Sequence, residues 1–399
     1  MTPDFLIVGG GIIGISIARE LKRRYADCTI SVIEKEQSCA LHASGRNSGV
    51  LHAGFYYTAD SLKAKFTRDG NRELTQYCEE REIPINKCGK LVVAQNERDH
   101  TSMDKLLERG RRNGVELNSI TAQEAREIEP RAKTQDRAIF SPTTSSVNPL
   151  NVMQSLEQDA RQEGVKIRYG VSYLGCKDKE VVTNVGRISS GYLVNAAGLY
   201  ADWVARGFGF SAKYRILPFK GLYLYSNEPT GAFRTNIYPV PDLRNPFLGV
   251  HFTVTVDGRA KIGPTAIPAL WREQYRLNEN FRLGEFIDIV RRQLGLFAHS
   301  NFDFKKLALE EVRKHSRARM VSLAAALATG VKKENYRDWG RPGMRAQLAN
   351  VKERRLEMDF VIEGDDRSMH ILNAVSPGFT CCMPFARYVC DTISKNLSR

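Results

Sequence analysis

The sequence contains nothing long enough to cross a membrane as a helix. No run approaches the roughly 18 consecutive apolar residues a span requires, and the longest candidate, MVSLAAALATGV at 320–331, falls well short. Zinc-type spacing is also missing. The eight cysteines (28, 39, 78, 88, 176, 381, 382 and 390) form no CxxC pair and no Cys/His ligand pattern, so no metal is expected. The adjacent Cys381 and Cys382 are awkward partners for a structural disulfide. Reduced thiols are expected instead, and with them a cytoplasmic compartment. The start MTPDFLIVGG has neither a basic leader nor a cleavage site, and Phe5 already begins an apolar strand. There is no low-complexity tract and no internal repeat at a period of about 20–50 residues.

What is present is ordinary globular material with a basic excess. Apolar residues make up 42% and charged residues 26% of the 399, enough for a large core and room for two domains. The net charge of +14 suits an anionic partner: a dicarboxylate, a phosphate-bearing cofactor, nucleic acid or an anionic membrane surface. The basic residues are spread along the chain, and no basic motif interleaved with aromatics marks an RNA-binding module, so nucleic acid is not expected.

The first specific signal lies at 4–36. DFLIVGG is a continuous apolar strand of the buried parallel type, GGGIIGISIARELKRR a glycine-rich turn entering a helix, and CTISVIEKE a second apolar strand ending at Glu34. Gly9, Gly11 and Gly14 spell GxGxxG between strand and helix, and Glu34 follows Gly14 by 20 residues. This is the complete dinucleotide fingerprint, with glycines for the tight turn and close pyrophosphate approach and an acidic residue for ribose hydroxyls.

Later apolar strands at 164–173, 191–198 and 369–378 are expected to rejoin the same sheet, the last followed by an apolar helix. Segments 88–95, 137–146, 216–226 and 247–264 have an antiparallel texture, and Asp257-Gly258 signals a hairpin in the last of them. Charge-rich helical sequence fills about 279–333. The expected fold is α/β: a discontinuous Rossmann-type nucleotide domain (1–85, 147–212 and 335–399) with an inserted α+β antiparallel-sheet substrate domain (86–146 and 213–334).

Two further glycine-rich stretches turn the dinucleotide toward FAD rather than NAD. ASGRNSGVLHAGFYY (43–57) has no core periodicity, yet it concentrates small residues and donors, among them Ser44, Arg46, Asn47 and Ser48. NAVSPGFTCC places Ser376, Pro377 and Gly378 at a strand–loop–helix junction, where a helix N-terminus can stabilise negative charge on a reduced flavin. Several turns at strand ends far apart in sequence suit a long extended FAD. No Cys or His stands in a clear attachment motif, so the flavin is expected to be non-covalent.

From end to end, the chain resembles the D-amino-acid-oxidase-like flavoproteins and, within them, the L-2-hydroxyglutarate dehydrogenase/oxidase family. The resemblance is carried by SGRNSGVLHAGFYYTADSLKA (44–64), GKLVVA (89–94), FLGVHFTVTVDG (247–258), IGPTA (262–266), RPGMRAQL (341–348), DFVIE (359–363) and HILNAVSPG (370–378), in the family's order. It implies FAD and oxidation of L-2-hydroxyglutarate, a small dicarboxylate 2-hydroxy acid, to 2-oxoglutarate. It adds Val171, Ala197, Gly198, Phe379 and Thr380 to the expected cofactor contacts. His52 and His251 lie in the two most family-like segments and are the candidate bases, since imidazole titrates near working pH. His52 is favoured because it shares the flavin-loop segment. Arg345 in GMRAQ corresponds to the carboxylate-gripping arginine of the D-amino-acid oxidases. Lys220, where the family often has arginine, Tyr223 and Tyr57 are expected helpers. His42 and His370 are weaker candidates, and His100, His299 and His315 read as surface.

Within the same class, another small 2-hydroxy or amino acid, or glycerol phosphate, is an alternative substrate; from a different class, a tRNA-modifying flavoprotein with the same fold is a more remote alternative. The electron acceptor is expected to be oxygen or a membrane quinone. The stretch 305–333 offers either a peripheral membrane contact, on the inner face of the membrane, or ordinary core-packing helices with a basic outer face.

Overall fold

The structure is a computed structural model that describes residues 2–242, 247–299 and 304–398, without the side chains of 296–299 and 304–307. Its base is a six-stranded sheet in the order Val361–Gly364, Ser368–Asn373, Tyr192–Asn195, Phe5–Val8, Ile30–Ile33, Lys166–Arg168, parallel except at the first pair. Phe5–Val8 and Ile30–Ile33 are buried at every position, as strands covered on both faces must be. The helix Ile12–Arg24 covers the sheet with Ile12, Ile15, Ile17 and Leu21, and Lys22, Arg23 and Arg24 in its last turn complement the dipole. The C-terminal helix Cys382–Leu397 joins the same core through Phe385, Val389 and Ile393.

Above this base lies an eight-stranded sheet in the order Asp338–Trp339, Leu224–Tyr225, Ala260–Gly263, His251–Val254, Asn236–Pro239, Lys90–Val93, Arg137–Ser141, Asn118–Thr121. All its pairings are antiparallel except Asn236–Pro239 with Lys90–Val93. The expected hairpin turns at Asp257-Gly258, with Gly258 at φ +77°. The stretch 216–226 is not the single strand its composition suggests. Tyr214–Gly221 pairs with Gly343–Asn350 in a four-stranded sheet, and Leu224–Tyr225 crosses into the eight-stranded one. The Tyr214–Gly221 pairing joins strands on either side of the domain boundary expected at 335.

Within 305–333, the helix Arg317–Ala325 packs Met320, Val321 and Ala324 into one core with Phe252 and Ile262 of the eight-stranded sheet. That half of the segment is core packing rather than a lipid-facing surface. Leu309 and Val312 are exposed in the segment's first half, and a larger set of exposed apolar side chains lies upstream, at Leu277, Phe281, Leu283, Ile287 and Leu294. No described helix is long and apolar enough to cross a membrane.

Candidate active site

A cavity of about 560 Å³ runs between the base sheet and the roof formed by the eight- and four-stranded sheets. At one end the fingerprint turn forms its wall. A Cβ on Gly14 would lie 2.0 Å from the Gly9 carbonyl oxygen, and Gly9, at φ +111°, has the Ala196 carbonyl 2.5 Å from its own Cβ position. Helix, turn and strand therefore close on one another only because both residues are glycine. The backbone N–H groups of Gly10 and Glu36 donate to the Glu34 carboxylate at 2.8 and 3.0 Å, which orients it along the cavity wall with lone pairs to spare. Ser44 accepts from the Ile12 N–H at 2.9 Å and so satisfies a donor at the start of the fingerprint helix.

The 43–57 loop is braced from within. Asn47 donates to the Ala43 and Ser44 carbonyls and accepts from the Gly49 N–H, while Arg46 donates to the Leu41 carbonyl and stacks over the Tyr275 ring at 4.2 Å. Thr380 of the C-terminal turn accepts from the His52 N–H at 3.2 Å and reaches the Val50 carbonyl at 3.4 Å. The two glycine-rich stretches, some three hundred residues apart, thus share one wall.

Of the residues expected from sequence, Gly9, Gly11, Glu34, Ser44, Arg46, Asn47, Ser48, Val171, Ala197, Gly198, Pro377, Gly378, Phe379 and Thr380 line this cavity, together with His52, Tyr223, His251 and Arg345. Three do not. Gly14 acts behind the wall, through the close packing just described. Lys220 alternates with the cavity-lining Phe219 and Gly221, so its side chain leaves the opposite face of the strand. Tyr57 sits behind the wall, close enough to Arg345 for each to feel the other's charge, with the Lys63 ammonium 5.7 Å from its ring.

His52 and His251 both line the cavity, one from the flavin loop and one from the roof sheet. The His251 Nδ1 lies 2.8 Å from the Gly249 carbonyl. A carbonyl only accepts, so Nδ1 carries the hydrogen in the neutral ring and Nε2 is a bare lone pair. Burial pulls both imidazoles down to about 3; for His52 the charges of Lys90, His251 and Arg345 add to that effect. Both rings are therefore neutral proton acceptors at ordinary pH. Arg345 rises from the strand Gly343–Asn350, its guanidinium 5.1 Å from the Phe247 ring.

Sequence reasoning missed the buried lysines around this end. The Lys261 ammonium donates to the Ser48 carbonyl at 2.9 Å and lies 4.9 Å from the Tyr223 ring, and burial brings it down to about 8. Burial also pulls Lys63 down to about 8 and Lys90 to about 7. No carboxylate lies within ion-pairing distance of these three among the described residues. A signal was available: Lys90 opens and Lys261 interrupts an otherwise apolar strand, where a lysine needs a reason.

The other histidines sort differently. His42 hydrogen-bonds Tyr275 at 2.7 Å and joins Glu36 at 2.9 Å, in a cluster with Glu273 into which the Lys35 ammonium is already inserted. His370 is locked between Asn195 and Ser368, a structural role. His100 is half-buried and bonded to the Gln135 carbonyl, His315 is exposed, and the His299 side chain lies outside the described residues.

Residues 4–392 match the DAO family, FAD dependent oxidoreductase. The chain belongs to this family. Its FAD requirement fits a long cavity with a glycine cradle at one end and the Glu34 carboxylate beside it. Among relatives, the mitochondrial L-2-hydroxyglutarate dehydrogenase of Nematostella vectensis is 36% identical, with 99% of this chain and 91% of that protein covered. The L-2-hydroxyglutarate dehydrogenase of Escherichia coli K12 is 32% identical over 99% of this chain and 94% of its own. Solved structures share the DAO fold at greater sequence distance. Dithionite-reduced L-α-glycerophosphate oxidase from Mycoplasma pneumoniae, with FAD bound, has a TM-score of 0.77 at 21% identity, covering 99% of this chain and 95% of that one. Glycine oxidase from Geobacillus kaustophilus has a TM-score of 0.73 at 18% identity, with the same coverage.

Proposed function

We propose that this protein oxidises L-2-hydroxyglutarate to 2-oxoglutarate. The carrying observation is the juxtaposition, at one end of the cofactor cavity, of Arg345 with two neutral histidines inside a shell of buried lysines. FAD, when bound, supplies the hydride acceptor. Arg345 binds the carboxylate next to the carbinol through its planar guanidinium, and the surrounding positive potential favours a dianion over a monoanion. The hydroxyl has one proton to lose. His251 is the better acceptor for it, because the Gly249 hydrogen bond fixes the hydrogen on Nδ1 and leaves Nε2 bare, as an orienting partner does for other enzymatic bases. His52 then serves as the donor to the carbinol oxygen from the flavin loop. This reverses the preference that short-range chain geometry gave to His52.

The test is anaerobic bleaching of the purified yellow protein, its flavin first shown to be released by heat. L-2-hydroxyglutarate is expected to bleach it, the D enantiomer not to, and lactate, lacking the second carboxylate, to do so at least tenfold more slowly. Faster bleaching by a D-amino acid or glycerol phosphate would replace the substrate assignment.

For the acceptor we propose a membrane quinone, reached from a lipid surface. Exposed Leu277, Phe281, Leu283, Ile287 and Leu294, interspersed with exposed Arg276, Arg282 and Arg291, support an interfacial contact with anionic lipid. The holoenzyme should co-sediment with vesicles containing phosphatidylglycerol, and a Leu277→Ser, Phe281→Ser double variant should remain in the supernatant. Equal partition of the two proteins would remove this surface from consideration.

A further inference from the structure

Lys90 is fully buried, and its nitrogen has no hydrogen-bond partner. Three aromatic rings enclose it: Phe55 at 4.5 Å, Tyr56 at 4.6 Å and Tyr238 at 4.9 Å. The Tyr238 ring in turn stacks on His251, with centroids 3.7 Å apart and planes 20° from parallel. An unpaired amine in such a place is costly, and an apolar residue would pack there without penalty. Aromatic faces offset part of that cost only while the group is a cation.

We propose that Lys90 is a positioning residue for proton transfer: its charge, held behind the His52–His251 wall by the three rings, keeps the imidazoles unprotonated while a dianionic substrate fills the pocket. The inference rests on the dicarboxylate oxidation proposed above. Two carboxylates entering a dry cavity draw a proton onto the nearest imidazole, and an imidazolium cannot accept another. Arg345 faces only one of them. A cation on the far side of the ring opposes that uptake.

The groups around the histidines on every packed element are consistent with this role. Tyr56 and Tyr57 come from the flavin loop, Lys63 from the helix Leu62–Glu80, Tyr223 and Lys261 from the roof, Arg345 from its own strand and Lys314 from the helix side. The nearby carboxylates are engaged elsewhere: Glu311 with Lys314 and the Ala266 N–H, Asp359 with the N–H groups of Leu62 and Lys63, and Asp257 with Thr255. Lys90 is the leading charge opposing protonation of both histidines, after burial and, for His251, apart from the opposing Gly249 hydrogen bond. Burial brings Lys90 itself to about 7, so the ammonium is present throughout the lower pH range in which these buried imidazoles take up a proton.

The experiment compares wild-type and Lys90→Met holoenzyme in two ways: the pH dependence of anaerobic flavin reduction by L-2-hydroxyglutarate, and the titration of 13Cε1-labelled histidine resonances without substrate. The variant's acidic limb should move up by about one pH unit, and the His52 and His251 resonances should titrate correspondingly higher. Lys90→Arg, which keeps the charge, should restore the limb. A rate lower at every pH with an unmoved limb and unmoved resonances overturns the proposal, since loss of packing alone gives that pattern. If Lys90→Met fails to retain FAD, Phe55→Leu removes the nearest ring, weakens the ammonium, and should move limb and resonances in the same direction; no movement there also overturns it. If L-2-hydroxyglutarate fails to reduce the wild-type flavin, the substrate assignment falls, and the resonance titration still decides the role of Lys90.

Discussion

His251→Asn is expected to slow anaerobic flavin reduction by roughly 10²–10⁴-fold, the range for loss of a positioned general base. The Nε2 lone pair of His251 is bare because Nδ1–H is committed to the Gly249 carbonyl 2.8 Å away, and the asparagine side chain has no comparable basic nitrogen. Burial holds this imidazole down to about 3 in the resting protein. Its acidic limb should therefore lie well below the ordinary histidine value: protonation disables the base, and burial postpones protonation to lower pH. His52→Asn should retain a limb and chiefly raise KM, since His52 is assigned a hydrogen bond rather than the proton. Stopped-flow reduction across pH separates the two. A His251→Asn variant that reduces at near wild-type rate with its limb intact, beside a His52→Asn variant that loses the limb, would exchange the roles. Near wild-type rates in both would end the histidine mechanism and leave Tyr223 or solvent to take the proton.

Arg345→Ala is expected to weaken L-2-hydroxyglutarate binding at least about thirtyfold, because removing one partner of a desolvated charge pair costs about 2–5 kcal/mol. The strand Gly343–Asn350 holds Arg345 rigidly, with Phe219 as its cross-strand neighbour, and Phe247 lies under the guanidinium. The side chain lines the cavity at its histidine end, so the loss should appear in substrate affinity rather than flavin content. Arg345→Lys should recover little, since a point charge does not reproduce the bidentate fork. Spectral titration at a pH where reduction is slow measures the affinity directly. An unchanged dissociation constant would make Arg345 a structural cation and move carboxylate recognition to the lysine shell.

Much of the cofactor half was legible without coordinates because its requirements are local. GxGxxG, the apolar strands on either side and Glu34 lie within one βαβ unit, and each follows from backbone sterics or a single hydrogen bond. The hairpin at Asp257-Gly258 was readable for the same reason. The run at 216–226 was not: nothing in its composition marks the point where the chain leaves one sheet for another, because both halves satisfy the same burial pattern. Lys220 is expected as a substrate contact, whereas its neighbours Phe219 and Gly221 line the cavity. Strand alternation guarantees that neighbours face opposite ways, but only the pairing to Gly343–Asn350 decides which way Lys220 faces.

By itself, then, the sequence determined the cofactor class, the presence of an antiparallel roof and the histidines and arginine that face the cavity. Tertiary structure decided their states. Which nitrogen of His251 is left bare depends on a carbonyl two residues away, and that contact exists only when the strand His251–Val254 is in register. The lysine at position 90 reads as one more basic residue among 59 until three rings close around it and no carboxylate arrives. Local pattern specifies backbone geometry because its energetics act over a few residues. Protonation state and charge balance are sums over everything within several ångströms, and those neighbours come from the whole length of the chain.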